Sequence, residues 1–259
     1  MRIRDDDAKA LAAALATTTP PNRFRYIRLQ CNQIGANGAK ALADAFGKQQ
    51  MPIVNLNLST NHIGDEGATA LAAWLAPSKT LTHLYVYNNG IGDAGVKALA
   101  EAVERNASLE FLDMGENHIG MDGLRALARA VAGHATLTGL VLDHNAGGFS
   151  DAQVAVLADA LAHNTSLMQM ALHGSTISQK GEEMLAAAVM KRRSLQPVFV
   201  TGCGSTLDAA CLRVCTLSEA RIAVLAAMHA SPRTACRLGR FLASDGDHAA
   251  MAKVLKFMA

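Results

Sequence analysis

An α/β solenoid of parallel strands and helices is the fold class that the sequence predicts, and three observations predict it. A short unit recurs along most of the 259-residue chain, and each unit passes from a two-residue to a 3.6-residue apolar period. The third is composition: hydrophobic residues make up 50% of the chain but aromatic residues only 4%, with Ala the commonest apolar type. A substantial core must then be built from small, closely packed side chains, which suits helices stacked beside short strands. The same content excludes an intrinsically disordered chain.

The chain opens with Met1-Arg2-Ile3-Arg4, Asp5-Asp6-Asp7 and an Ala-rich run from Ala8 to Ala16. Three carboxylates between the basic end and the apolar run exclude a secretion signal, and the run is too short to span a bilayer. Residues 5–16 read as the helical half of a unit that lacks its strand, an N-terminal cap, with Thr17 to Pro21 as the turn that follows.

Seven units follow, anchored at Asn32, Asn61, Asn89, Asn117, Asn145, Ser175 and Cys203, with spacings of 29, 28, 28, 28, 30 and 28 residues. Before each anchor the pattern Leu-x-x-Leu-x-Leu places three apolar residues: Phe24, Ile27, Leu29; Ile53, Leu56, Leu58; Leu81, Leu84, Val86; Leu109, Leu112, Met114; Leu137, Leu140, Leu142; Leu167, Met170, Leu172; and Leu195, Val198, Val200. These alternate as a half-buried strand does. After the anchor comes Ile-Gly-x-x-Gly and a helical stretch, as in Ile63-Gly64-Asp65-Glu66-Gly67 running into Leu71 and Leu75. The anchor amide has a structural task, to satisfy turn backbone that no regular ladder reaches. Strands stack at about 4.8 Å and helices at about 8–10 Å, so the stack must curve with strands inside. Ala45, Ala102, Ala130, Ala160 and Ala188 sit where helix meets helix and limit that mismatch.

Two units are irregular. Asn145-Ala146-Gly147-Gly148-Phe149-Ser150 replaces the Ile-Gly turn and adds two residues, either as a contact loop on the rim or with Phe149 standing in for the missing Ile. Trp74 stands where five other helices carry Ala, as a packing wedge or an exposed anchor. Beyond Val200 strand signals stop and helix signals continue, Leu217 to Met228, Pro232 to about Leu242, and a last helix through Met258. The chain therefore divides into a repeat domain over 1–205 and a helical cap or small helical module over 206–259.

These 28-residue units with their Ile-Gly-Asp-x-Gly-Ala-x-Ala-Leu-Ala core resemble leucine-rich repeats of the ribonuclease-inhibitor subfamily across residues 24–205, and Cys203 fits that subfamily's exchange of Cys for Asn. The resemblance implies a right-handed α/β horseshoe, with parallel strands on the concave face, helices on the convex face and helical caps at both ends. The subfamily includes Ran GTPase-activating proteins, the sensor halves of nucleotide-binding immune receptors, and bacterial effectors. It implies a protein partner without naming one.

Strand residues alternating with the buried ones must face the concavity. All three tyrosines of the chain, Tyr26, Tyr85 and Tyr87, fall in that set, beside His83 and Phe111. Large amphipathic rings where packing does not need them suit an interface. Asp113, Glu116 and Asp143 add an acidic patch, and Arg28, Asn57, His144 and His173 complete the candidate partner-binding residues. A basic or polar protein surface fits this face. Nucleic acid does not, because the patch repels phosphate and a net charge of 24 − 22 = +2 offers little attraction elsewhere.

Histidines and aspartates on an open surface, with no nucleophile beside a positioned base, do not make an active site or a metal centre. The expected function is therefore a non-enzymatic, cofactor-free protein-interaction scaffold, monomeric and without a membrane segment. Regulation of a small GTPase in the manner of the Ran activators is one alternative, and a bacterial effector or immune-sensor-type protein acting by partner binding is another. Five cysteines, none in a Cys-x-x-Cys pair, fit reduced thiols in the cytoplasm, or in a host cell if the protein is delivered there.

Overall fold

A computed structural model describes residues 2–17, 24–145, 147–192 and 199–201, with the side chains of Met190 and Phe199 excepted. The elements alternate through α1 (Asp5–Thr17), β1 (Tyr26–Arg28), α2 (Ala36–Lys48), β2 (Asn55–Asn57), α3 (Gly64–Leu75), β3 (His83–Tyr85) and α4 (Asp93–Arg105). They continue through β4 (Phe111–Asp113), α5 (Met121–Ala132), β5 (Gly139–Val141), α6 (Asp151–His163), β6 (Gln169–Ala171), α7 (Gln179–Lys191) and β7 (Phe199–Thr201). The strands form one parallel sheet in sequence order. Equivalent residues pair, so that Ile27, Leu56, Leu84, Leu112, Leu140, Met170 and Val200 make one row beneath the sheet. Each helix packs on its predecessor and successor, which is the α/β solenoid expected.

The core lies between the layers. Ile34, Ile63, Ile91 and Ile119 are buried after their anchors, and Phe149 takes the same place in the fifth unit. Trp74 is buried too, its ring centroid 5.2 Å from that of Phe46, so it is a wedge and not an exposed anchor. Two expectations at the N-terminal end change. Phe24 is 55% exposed although its equivalents from Ile53 to Leu167 are fully buried, because it leads into the first strand of the described sheet, which has a neighbouring strand on one side only. The cap is also more than a bare helix. Ile3 N–H donates to Asn32 Oδ1 at 2.9 Å and Arg4 bridges Gln33 in parallel, so the cap joins the turn ladder of the units that follow.

That ladder is the anchor ladder. Asn117 donates from Nδ2 to the carbonyls of Val86, Met114 and Gly115, each at 3.0 Å, and accepts at Oδ1 from Asn89 N–H at 3.1 Å and Ile91 N–H at 3.0 Å. Asn61, Asn89 and Asn145 bond in the same way, to their own unit and the one before. A second ladder closes the opposite turns, from helix back to strand. Asn106 Oδ1 accepts from Ser108 and Leu109 N–H, His134 Nδ1 from Thr136 and Leu137, and Asn164 Oδ1 from Ser166 and Leu167. Two acceptor bonds at Nδ1 leave the His134 proton on Nε2. Burial, the larger effect, holds this imidazole below the usual histidine range, against the opposing pull of the Asn106 and Val103 carbonyls.

Carboxylates join successive helices. Asp5 Oδ1 accepts from the N–H groups of Gly35 and Gly38, Asp65 from Gly92 and Gly95, and Asp93 from Gly120 and Gly123, at 2.6 to 3.1 Å. Each acid thus caps the next unit's helix and lies against its positive end. Where Met121 replaces the acid, α6 caps itself through a Ser150–Gln153 box. Cys203, the expected turn to Pro21 past Thr17, and the helices expected over 206–259 lie outside the described residues.

Candidate functional site

The face of the sheet turned away from the helices is built from two strand rows and two rows just past the strand ends. The first row runs Tyr26, Asn55, His83, Phe111, Gly139, Gln169, and the second Arg28, Asn57, Tyr85, Asp113, Val141, Ala171. In the third row stand Ser59, Tyr87, Gly115, Asp143 and His173, one residue after the third apolar strand position. The fourth row precedes the anchors: Cys31, Thr60, Asn88, Glu116, His144 and Gly174. All six have φ between 48° and 69°. A side-chain-bearing residue in this left-handed region costs about 1–2 kcal/mol, and the anchor bonds on either side hold it there.

All twelve expected partner-binding residues lie on these four rows. Tyr26, Arg28, His144 and His173 are exposed, and Asn57, His83, Tyr85, Tyr87, Phe111, Asp113, Glu116 and Asp143 are half-buried. They do not form one site. Tyr26 and Arg28 sit on the first strand, two strands from the cluster in the middle, and Gly139 and Ala171 on the same rows are buried.

The middle of the face is a ring cluster. His83 and Phe111 are stacked with centroids 5.9 Å apart and planes at 19°, His83 and Tyr85 at 6.3 Å and 21°, and Tyr85 and Phe111 tilted at 5.4 Å and 36°. Thr82 Oγ1 lies 2.7 Å from His83 Nδ1 and donates to the Val54 carbonyl, which orients the imidazole. Two glycines seat the rings. A Cβ on Gly139 would fall 2.4 Å from Phe111 Cδ2, and one on Gly115 would fall 2.9 Å from Tyr87 Cδ2. Each ring leans across the glycine one repeat later: 111 + 28 = 139 and 87 + 28 = 115. His144 leans on Gly174 in the same manner.

Beside the rings lie three carboxylates. Asp113 Oδ1 accepts from Gly115 N–H at 3.0 Å, and Asp143 Oδ1 from His173 N–H at 2.6 Å. Burial raises the Asp113 carboxyl above its ordinary range, the Gly115 bond opposes this, and the Asp143 charge adds to it. Tyr87 is pushed up to about 12, first by its hydrogen bond to Glu116, then by burial and by the charges of Glu116, Asp113 and Asp143. The phenol therefore stays protonated and donates. Among the described residues no salt bridge reaches Asp113, Glu116 or Asp143. No group of three or more His, Cys, Asp or Glu among them is placed to hold a metal ion, and no helix among them is long and apolar enough to cross a membrane.

With this geometry in place, comparison with known proteins gives the class. The family model described as Leucine Rich repeat matches residues 24–43, 51–72, 78–100 and 105–128. Over these residues the chain carries leucine-rich repeats, and the same strand register continues through β6 and β7. Among solved structures, actin-binding site 2 of leiomodin-1 is similar with a TM-score of 0.53 and 18% identity, over 60% of this chain and 87% of that one. The tropomodulin C-terminal domain of Caenorhabditis elegans gives a TM-score of 0.49 and 17% identity over 59% of this chain and 92% of that one. At 18% identity the likeness to the leiomodin-1 site is one of fold. No curated protein sequence matches the chain.

Proposed function

We propose that this protein is a non-enzymatic scaffold that binds another protein through the open face of its sheet, centred on His83, Tyr85, Tyr87 and Phe111. One observation carries the reading. Stacked rings lie half-exposed on a face where the leucine rows already complete the core, so packing does not account for them. Rings of this kind bury large area at low conformational cost when a partner covers them. The same fold carries actin-binding site 2 of leiomodin-1, a protein-binding use of the scaffold. The surface sought is basic or polar, since the carboxylates beside the rings have no cationic partner among the described residues. The protein acts as a monomer in the cytoplasm.

The experiment is a pull-down with the full chain, followed by titration calorimetry of the recovered partner. Replacing Tyr85 and Tyr87 with Ala is expected to weaken binding by about 2 kcal/mol or more, roughly thirtyfold in Kd. Arg125→Ala, on the helical side, is expected to leave affinity unchanged. The opposite pattern overturns the reading.

A further inference from the structure

Resting on that open-face reading, we infer that the centre of the face receives one arginine side chain of the partner, its guanidinium stacked on Tyr85 and forked between Asp113 and Asp143.

Register supplies the first argument. Tyr85 and Asp113 are direct cross-strand neighbours, so a ring and a carboxylate stand side by side at one strand spacing, about 4.8 Å. A cation lying on the ring is then within reach of the acid. Shape supplies the second. His83, Tyr85 and Phe111 have planes within 36° of one another, a platform for a flat group, and guanidinium is flat where ammonium is not.

The carboxylates are the third argument. Asp113 and Asp143 each use Oδ1 for a backbone N–H, and no bond to either Oδ2 is made among the described residues. The backbone bonds fix both groups in place. Two free oxygens from two fixed acids match the fork of an arginine better than a point charge does. Among the described residues neither acid has a cationic partner. Asp113 and Asp143 repel each other, and the nearest described cation on the second strand row, Arg28, stands two strands from Tyr85. A guanidinium between the acids removes that repulsion.

Blocked hexa-arginine, hexa-lysine and hexa-citrulline peptides, titrated into the 259-residue chain and followed by backbone amide shifts, test this. Hexa-arginine is expected to bind with shifts centred on β3 and β4, at least about fivefold more tightly than hexa-lysine, and hexa-citrulline is expected not to bind. The double variant Asp113→Asn, Asp143→Asn keeps both acceptors for the backbone bonds, as Asn57 does toward Ser59. It is expected to weaken hexa-arginine at least about tenfold. Glu66→Gln with Glu101→Gln removes two charges from exposed positions on the helical side and is expected to change affinity less than about twofold. Equal binding of hexa-lysine, equal loss in the helix-side double variant, or no binding of hexa-arginine overturns the inference. Should the recovered partner still depend on Tyr85 and Tyr87 while hexa-arginine fails, the open-face reading stands and the arginine alone is wrong. Independence from the tyrosines removes both.

Discussion

The middle of the solenoid and its last described unit solve the same packing problem with different success. From Asn61 to Asn145 the anchor amides are buried and bonded on both sides to successive turns. In the last unit the anchor is Ser175, whose buried Oγ has no partner. Position 182 follows Ala39, Ala68, Val96, Leu124 and Val154 in register, yet it is a buried Glu with Oε2 unpartnered. Arg192 continues the second ladder by bonding the Asn164 and Leu167 carbonyls, but its Nη1 is left over. Three of the four buried, unpartnered side-chain atoms among the described residues thus belong to this unit, and His134 Nε2 is the fourth. A solenoid's stability is a sum of unit and interface terms. The comparison teaches that the fully bonded part of this one coincides with the ring cluster, and that its last described unit is the less completely bonded part.

The largest effect expected comes from breaking the middle. Asn117→Ala removes five hydrogen bonds and strands buried backbone groups, at a cost of about 3 kcal/mol, whereas Ser175→Ala removes no bond of its hydroxyl and should cost under about 0.5 kcal/mol. Denaturant midpoints of the two variants measure the contrast. Equal losses would show that the ladder does not differ between the two regions.

Repairing the last described unit sharpens the comparison. Glu182→Val restores the residue found at 96 and 154 and removes a buried carboxylate oxygen without a partner, so stability should rise by about 1–2 kcal/mol. A fall in midpoint would mean that this carboxylate is needed where it lies.

A smaller, pH-dependent effect comes from His134. Its folded value lies below the ordinary 6.5, so the unfolded chain takes up a proton that the folded chain refuses. Stability contributed by the neutral ring is full above that ordinary value and is lost as pH falls toward the folded one. His134→Asn, the residue found at 106 and 164, should keep the turn bonds and flatten this slope. Midpoints measured across the histidine range decide it, and an unchanged slope assigns the dependence elsewhere.

How much of this was legible follows from what repeats in kind. The strands, the helices and the anchor ladder were readable because Leu, Ile and Asn recur in type at a fixed spacing. Buried Phe149 was readable by position, as a large apolar residue where Ile was due. The second ladder was not, because Asn106, His134 and Asn164 satisfy the same pair of N–H groups with different side chains, and a search for identity passes over them. The capping acids were missed for a related reason. Asp5, Asp65 and Asp93 act on the next unit, so their own unit gives no clue. The ring cluster was found residue by residue, but its seating was not, although Gly115 and Gly139 each follow a ring by 28 residues in the sequence. Exposed Phe24 shows the opposite error, since a unit at the end of a sheet keeps the pattern and loses the neighbour.

The tyrosine pair should cost little stability, and measuring that cost together with binding tests the account most directly. Tyr85→Ala with Tyr87→Ala loses ring contacts on an open face, so the denaturant midpoint should fall by no more than about 1 kcal/mol, while partner affinity measured on the same preparation should fall by about 2 kcal/mol or more. That separation is the predicted result. A variant that unfolds as easily as Asn117→Ala while still binding at full affinity would contradict the account, because the rings would then belong to the fold and not to the partner.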